Sequence, residues 1–372
     1  MFNHQMVKRS ENSQSLNSNI MRLLEVFMKN KLILLILILG FFNAEFLLSQ
    51  DGSQNVSKVG TTAGTFLEIG IGPSNGMGGA FVSLANDATA LYWNSAGIAD
   101  LIRNEVSIVH INWLASTSLD YAALVISLGD VGNIGFSFTS LSMGDEKVRT
   151  IEMPEGTGEY YSASDIAVGI SYARNLTERF SIGFTAKYIQ ESIWHMSSNA
   201  FAIDVGTLFK TDLIGGLTIG ASISNFGTKM KLSGRDTRTF ESVDPTKQGS
   251  NDRIPYVIDL DTWDLPLIFR IGLSTNAIKT DNYRLTVAVD ALHPNDNYES
   301  VNTGAEFSFK EFLFIRGGYQ SLFLVDREGG LTFGVGINSK MLFSQDLFRF
   351  DYSYRDFGRL NAVHSFSVGI KF

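Results

Sequence analysis

From Glu105 to the C-terminus this sequence alternates between apolar residues and small or charged ones with a period of two, and that period excludes helical architectures for most of the chain. In the stretch Phe180 to Tyr188, the set Phe180, Ile182, Phe184, Ala186 and Tyr188 is interleaved with Ser181, Gly183, Thr185 and Lys187. The same alternation runs through Ile134, Phe136 and Phe138, through Leu217, Ile219, Ala221 and Ile223, and through Leu331, Phe333, Val335 and Ile337. Successive side chains of a strand point to opposite faces, so each run is a strand with one apolar face and one small or charged face.

Alternation alone does not say which face is buried, because a soluble sandwich alternates with its apolar face inward. Strand length and the character of the other face decide. The runs approach the roughly 9–11 residues that a tilted strand needs to cross a bilayer. Their second face carries Lys187, Asp204, Arg270, Arg284, Asp290, Glu306, Arg316, Arg349 and Asp351. This mixture of signs suits a hydrated or self-paired barrel interior. A sandwich of this size would also have sheet edges to protect, and closure removes them. Composition agrees: 28 Phe and 35 Gly stand against 6 Pro, and 18% of residues are charged where soluble domains carry about 25%. The expectation is a transmembrane antiparallel β-barrel over residues 105–372.

Fourteen runs can be counted, from Glu105–Asn112 to Ser365–Phe372, and an even number is usual for bacterial single-chain barrels. The connectors divide into two kinds. Those after even-numbered runs are short, whereas Ser142 to Ser164 and Asn225 to Pro266, both after odd-numbered runs, are long. Short turns on one side and long loops on the other place both termini in the periplasm and the long loops outside.

The N-terminus reads as an address. Lys29 and Lys31 precede the apolar Leu32 to Gly40, and a polar stretch begins at Ser49. This is a signal peptide over 28–49, too short and too interrupted for a spanning helix. Residues 1–27 are then an upstream extension, and Ser49-Gln50 is the expected cleavage point. Removing residues 1–49 leaves 25 basic against 35 acidic residues, a net charge of −10. An acidic exported chain is a poor binder of nucleic acid. The absence of cysteine excludes a disulfide framework and a thiolate metal site.

Between address and barrel, in the segment 50–104, lies the one stretch that fits neither, GMGGAFVSLANDATALYWNSAGIADL from Gly76 to Leu101. Gly76, Gly78 and Gly79 form a hinge, Ala80 to Leu84 reads as a short strand, and Asn86-Asp87 opens a short helix that Gly97 ends or kinks. No catalytic pattern stands out. The glycines do not form G-x-G-x-x-G and no phosphate-loop lysine follows. His4, His110, His195, His293 and His364 lack metal-ligand spacing with carboxylates, and Asp259, Asp261 and Asp264 lack the spacing of a calcium loop. A Ser and His pair on neighbouring strands stays open as an alternative, but the expectation is a protein that is not an enzyme and holds no cofactor or metal.

The stretch Gly76–Leu101 resembles the N-terminal signature of the PorV/PorQ group within the FadL-like barrel superfamily, with Asp87, Asn94, Ala96 and Gly97 at the D-A-x-A-x-x-x-N-P-A-G element. Ser95 stands where that element has Pro. Ser57 to Gly72 and the closing DYSYRDFGRLNAVHSFSVGIKF are similar to the two ends of such chains. The resemblance implies a fourteen-stranded barrel with an N-terminal plug that contains a short helix. For PorV it implies the binding of secreted proteins with type IX C-terminal domains, alongside other secretion components. For FadL it implies transport of long-chain fatty acids or other hydrophobic compounds. The terminal strand, with Phe366, Val368, Ile370 and Phe372 on one face, resembles the signal read by the barrel assembly machinery of the bacterial outer membrane. That membrane's lipid would then be a further partner.

Overall fold

Each of the fourteen period-two runs is a strand in the computed structural model, which describes residues 60–241, 246, 253–324, 327, 329–339 and 347–372. The expected extension (1–27), signal peptide (28–49) and start of the plug segment (50–59) lie outside the described residues. The barrel strands are β1 Glu105–Asn112, β2 Ser118–Ser127, β3 Asn133–Ser142, β4 Ala163–Asn175, β5 Phe180–Ile193, β6 Met196–Lys210 and β7 Thr218–Gly227. They continue as β8 Ile268–Lys279, β9 Tyr283–Pro294, β10 Ser300–Phe309, β11 Leu313–Leu322, β12 Leu331–Asn338, β13 Phe348–Asp356 and β14 Ala362–Lys371. Every strand pairs antiparallel with its sequence neighbours. β1 then closes the ring on β14, with Glu105 opposite Lys371 and Asn112 opposite His364.

The faces are inverted relative to a water-soluble protein. Phe184, Phe201 and Phe350 are 47%, 64% and 57% exposed on the outside, while Arg270, Arg316 and Asp290 inside are 4%, 2% and 0% exposed. An apolar belt of this extent around a charged interior is stable only when lipid surrounds it.

The connectors sort by end. Among the described residues, the two long loops, 143–162 and 228–267, leave the same end of the barrel, and each contains its own small hairpin: Glu146–Lys147 with Tyr160–Tyr161, and Arg238–Glu241 with Ile254–Val257. The second loop starts later than expected, because Asn225 to Gly227 still belong to β7. Ser233–Gly234 adds a short strand beside the start of β6.

Two expectations about the stretch before the barrel need correction. The first described residues do not lie at the short-turn end: Thr62 bridges Asp264, just before β8 at the long-loop end, while β1 starts at the opposite end beside Phe372. Residues 60–104 therefore traverse the lumen from one end to the other. Ala80 to Leu84 is buried but not a strand; Leu84 and Ala85 donate their N–H groups to the Phe81 carbonyl in a turn. A segment inside a closed barrel meets no free strand edge, so its main-chain groups must be satisfied by turns and side chains.

The helix is also shorter than its sequence suggests. It spans Ala90–Trp93 and breaks at Asn94 (φ −163°, ψ 100°), and a 3-10 helix then covers Ser95–Asp100. Gly97 lies inside this 3-10 helix instead of ending the first one; a β-carbon there would collide with the main chain of Ala85.

Candidate functional site

The lumen holds the plug, and the side chains that grip it come from strands far away in the sequence. At the long-loop end, Ala63 donates its N–H to the Asp264 carbonyl at 2.9 Å, Gly64 to Glu191 Oε1 at 2.6 Å, and Thr62 Oγ1 to Asp296 Oδ2 at 2.7 Å. Deeper, the Phe81 and Val82 N–H groups both donate to Asp290 Oδ2, at 2.8 and 2.9 Å. Trp93 Nε1 donates to the Ile71 carbonyl at 3.0 Å and Tyr92 Oη to the Leu67 carbonyl at 3.0 Å, tying the helix to the plug's first half.

The residues singled out before the barrel divide between turns and anchors. Gly76 sits in the 3-10 turn Gly72–Met77, and Gly78 (φ 67°) ends it, its N–H donating to Thr332 Oγ1 at 2.8 Å. Gly79 (φ 76°) lies against Trp93 and Asn302. Asp87 Oδ1 accepts from the Thr89 N–H at 2.9 Å and from the Thr89 hydroxyl, and its other oxygen faces Arg349 Nη1 at 3.8 Å. Asn94 Nδ2 donates to the Val82 carbonyl at 2.8 Å and, across to β6, to the Thr207 carbonyl at 3.0 Å, while its Oδ1 accepts from Ala96 N–H at 3.2 Å. Ala96 is wholly buried. The terminal residues Phe366, Val368, Ile370 and Phe372 are not part of this site; they lie on the outer face of β14 and just beyond it.

The interior has two unlike sectors. On the β1–β2 side it is apolar, with Val109, Ile111, Leu119, Tyr121 and Val125 buried against Phe66, Leu91 and Ile98 of the plug. On the β9–β13 side it is an alternating chain of charges. From the plug outward, Asp87 faces Arg349 and Arg349 Nε lies 2.9 Å from Asp351. Arg316 bridges Asp351 and Glu306 at 2.7 and 2.8 Å, and Arg284 bridges Glu306 and Glu311 at 3.1 and 2.8 Å. Buried ions are tolerated when each is paired, and each of these lies within 4.0 Å of an opposite charge, although Arg349 Nε and Arg316 Nη2 make no hydrogen bond. The strand positions of these charges were legible in the sequence, but their partners were not, because a period of two places a residue on a face without saying what stands opposite.

Two cavities bear on function. One, of ≈ 290 Å³, opens at the long-loop end between the start of the plug (Ala63, Gly64, Thr65) and the inturned loop (Met230, Leu232, Trp263), with Glu191 and Ser198 at its side. Met230 and Trp263 exchange main-chain hydrogen bonds at 2.8 Å, so the two arms of the loop pair with each other at the edge of this cavity. Below the plug's first turn, Thr65–Glu68, a narrow crevice of ≈ 20 Å³ lies between Leu67, Leu91 and Tyr121 on one side and Lys187, Asp204 and Arg270 on the other. It has room for about one water. Arg270 is fixed over the rings of Tyr92 and Trp93, at 6.0 and 5.7 Å. Among the described residues no group of three or more His, Asp or Glu side chains is arranged to hold a metal ion.

The profile of an uncharacterised protein family (UPF0164) matches residues 52–187, which cover the plug, β1–β4 and half of β5. No curated protein matches the sequence. Among solved structures, the CymD monoaromatic hydrocarbon channel is similar at 14% identity and a TM-score of 0.51, over 82% of this chain and 98% of its own. The Pseudomonas putida toluene transporter TodX is similar at 13% identity and a TM-score of 0.50, over 81% of this chain and 97% of its own. At such identities the likeness is one of fold alone: this chain shares the closed-barrel architecture of these two channels.

Proposed function

We propose that this protein is an outer-membrane channel for hydrophobic compounds, which it takes up at the long-loop end, facing the outside. The observation that carries this reading is the vestibule: a mostly apolar cavity with Met230, Leu232 and Trp263 on one wall, set directly above the first residues of the plug. Binding sites for small molecules are concave and mostly apolar, with a few polar groups for orientation, and Glu191, Ser198 and Thr62 are such groups here. The likeness in fold to CymD and TodX favours this reading over secretion of the PorV kind. A flat protein-binding surface would not need a concave, partly apolar cavity over the plug.

The test is uptake into proteoliposomes of labelled toluene and labelled oleate, beside tryptophan quenching of the purified protein. Met230→Asp puts a desolvated charge into the vestibule, and it should reduce uptake on the order of tenfold while the barrel stays heat-modifiable. Equal uptake by the variant, or none by the wild type with either compound, would sink the proposal. The protein-binding reading keeps one observation of its own, the exposed Ile151, Phe240 and Val257 on the long loops. Purification from native membranes in mild detergent separates the two: exported proteins sharing a C-terminal β-domain support the second, and a stoichiometric hydrocarbon or fatty acid without a protein supports the first.

A further inference from the structure

The inner wall carries glycine where the plug passes. Glycine in a strand interior weakens the strand, and it is expected where another backbone approaches closely. The plug proceeds around the wall in reverse strand order. Gly76 meets Gly334 of β12, Met77 and Gly78 meet Gly318 of β11 and Gly304 of β10, Val82 and Ser83 meet Gly220 of β7, and Ser95 and Ala96 meet Gly183 of β5. A β-carbon at Gly183, Gly220, Gly304 or Gly318 would stand less than 3.0 Å from main-chain atoms of the plug. Between these points Asp290 of β9 takes two plug N–H groups and Asn94 reaches the Thr207 carbonyl of β6. The β1–β3 sector is closed by side chains instead, with Leu91 packed over Gly135 and beside Tyr121.

We infer that this glycine arc is a seal: it brings the plug backbone into direct contact with the wall, interrupts any continuous aqueous path from one end of the lumen to the other, and makes the barrel impermeable to water-soluble solutes. Barrels of this width or somewhat greater can hold an aqueous channel when nothing fills them. The seal is therefore the feature that sets selectivity against hydrophilic solutes. It is independent of which hydrophobic compound, if any, crosses the protein.

β11 offers a matched pair of variants. Gly318 faces the plug, whereas Gly317, its neighbour, faces outward and has nothing within 4 Å of its would-be β-carbon. The full-length protein is reconstituted into liposomes, and swelling in isosmotic arabinose is recorded together with heat-modifiability and cleavage of the plug by added protease. Wild type and Gly317→Val should be tight and protected. Gly318→Val should remain heat-modifiable, swell roughly tenfold faster or more, and lose its plug to protease. If Gly318→Val does not fold, Gly304→Ala takes its place with the same expectation. A folded Gly318→Val or Gly304→Ala that stays tight overturns the inference, and so does a wild type that swells as fast as an open porin. If neither variant folds, the wild-type swelling rate decides: tight upholds the seal, leaky overturns it.

Discussion

Asn94 is the residue on which the two halves of the plug and the wall converge. Its amide satisfies two carbonyls and one N–H, and an apolar side chain would leave the buried Val82 carbonyl and Ala96 N–H without these bonds. Asn94→Leu should destabilise the plug by about 1–3 kcal/mol. The barrel should keep its heat-modifiable form, because its stability lies in the closed ring of strand pairs. Limited proteolysis of the purified variant should cut between residues 60 and 101 faster than in wild type. Identical protection would remove Asn94 from the account. An asparagine before a short turn was visible in the sequence as a candidate of this kind. Asp290 was visible only as one interior charge among several, and nothing local marks it as the acceptor for Phe81 and Val82.

At the scale of the element, β14 is both the last strand and the one that closes the ring, paired with β13 on one side and β1 on the other. Its outer face presents Phe366, Val368 and Ile370 to the membrane, and Phe372 follows with its N–H donating to the Asn104 carbonyl at 3.0 Å. Deleting Phe372 removes that hydrogen bond and the terminal aromatic ring together. We expect lower levels in the outer membrane with export to the periplasm intact, measured by fractionation and blotting. Unchanged levels would reduce Phe372 to a lipid-facing side chain. The plug segment behaves differently from the strands: its short helix and turns have no period to announce them, and its Ala80–Leu84 run, which reads as a strand, cannot be one where every neighbouring edge is already paired.

At the scale of the whole molecule, the division of connectors into short turns at one end and long loops at the other predicts an orientation with the long loops outside. An epitope inserted at Gly249-Ser250, within the long loop 228–267, should be reached by antibody on intact cells. One inserted in the turn Gly129–Val131 should be reached only after the membrane is breached. The reverse result would invert the topology. The same architecture divides the lumen: the ion chain from Asp87 to Glu311 occupies the β9–β13 side, so an apolar compound finds compatible surface only on the β1–β2 side and in the vestibule above it. Passage would require movement at Gly60–Glu68, which floors the vestibule.

The sequence by itself determined the strands, their number, the face each turns to lipid and the end from which the long loops leave. These are properties of a period of two and of connector length, both readable along the chain. Only the tertiary structure decided the course of the plug, the partners of each interior charge, and the vestibule. Those depend on pairs such as Thr62 with Asp264, or Phe81 with Asp290, which lie some two hundred residues apart. The inward glycines on β5, β7, β10, β11 and β12 belong to both levels. Each appears in the sequence as one more small residue on the inner face, and the physical reason for it, the approach of the plug backbone, exists only once the ring has closed around the plug.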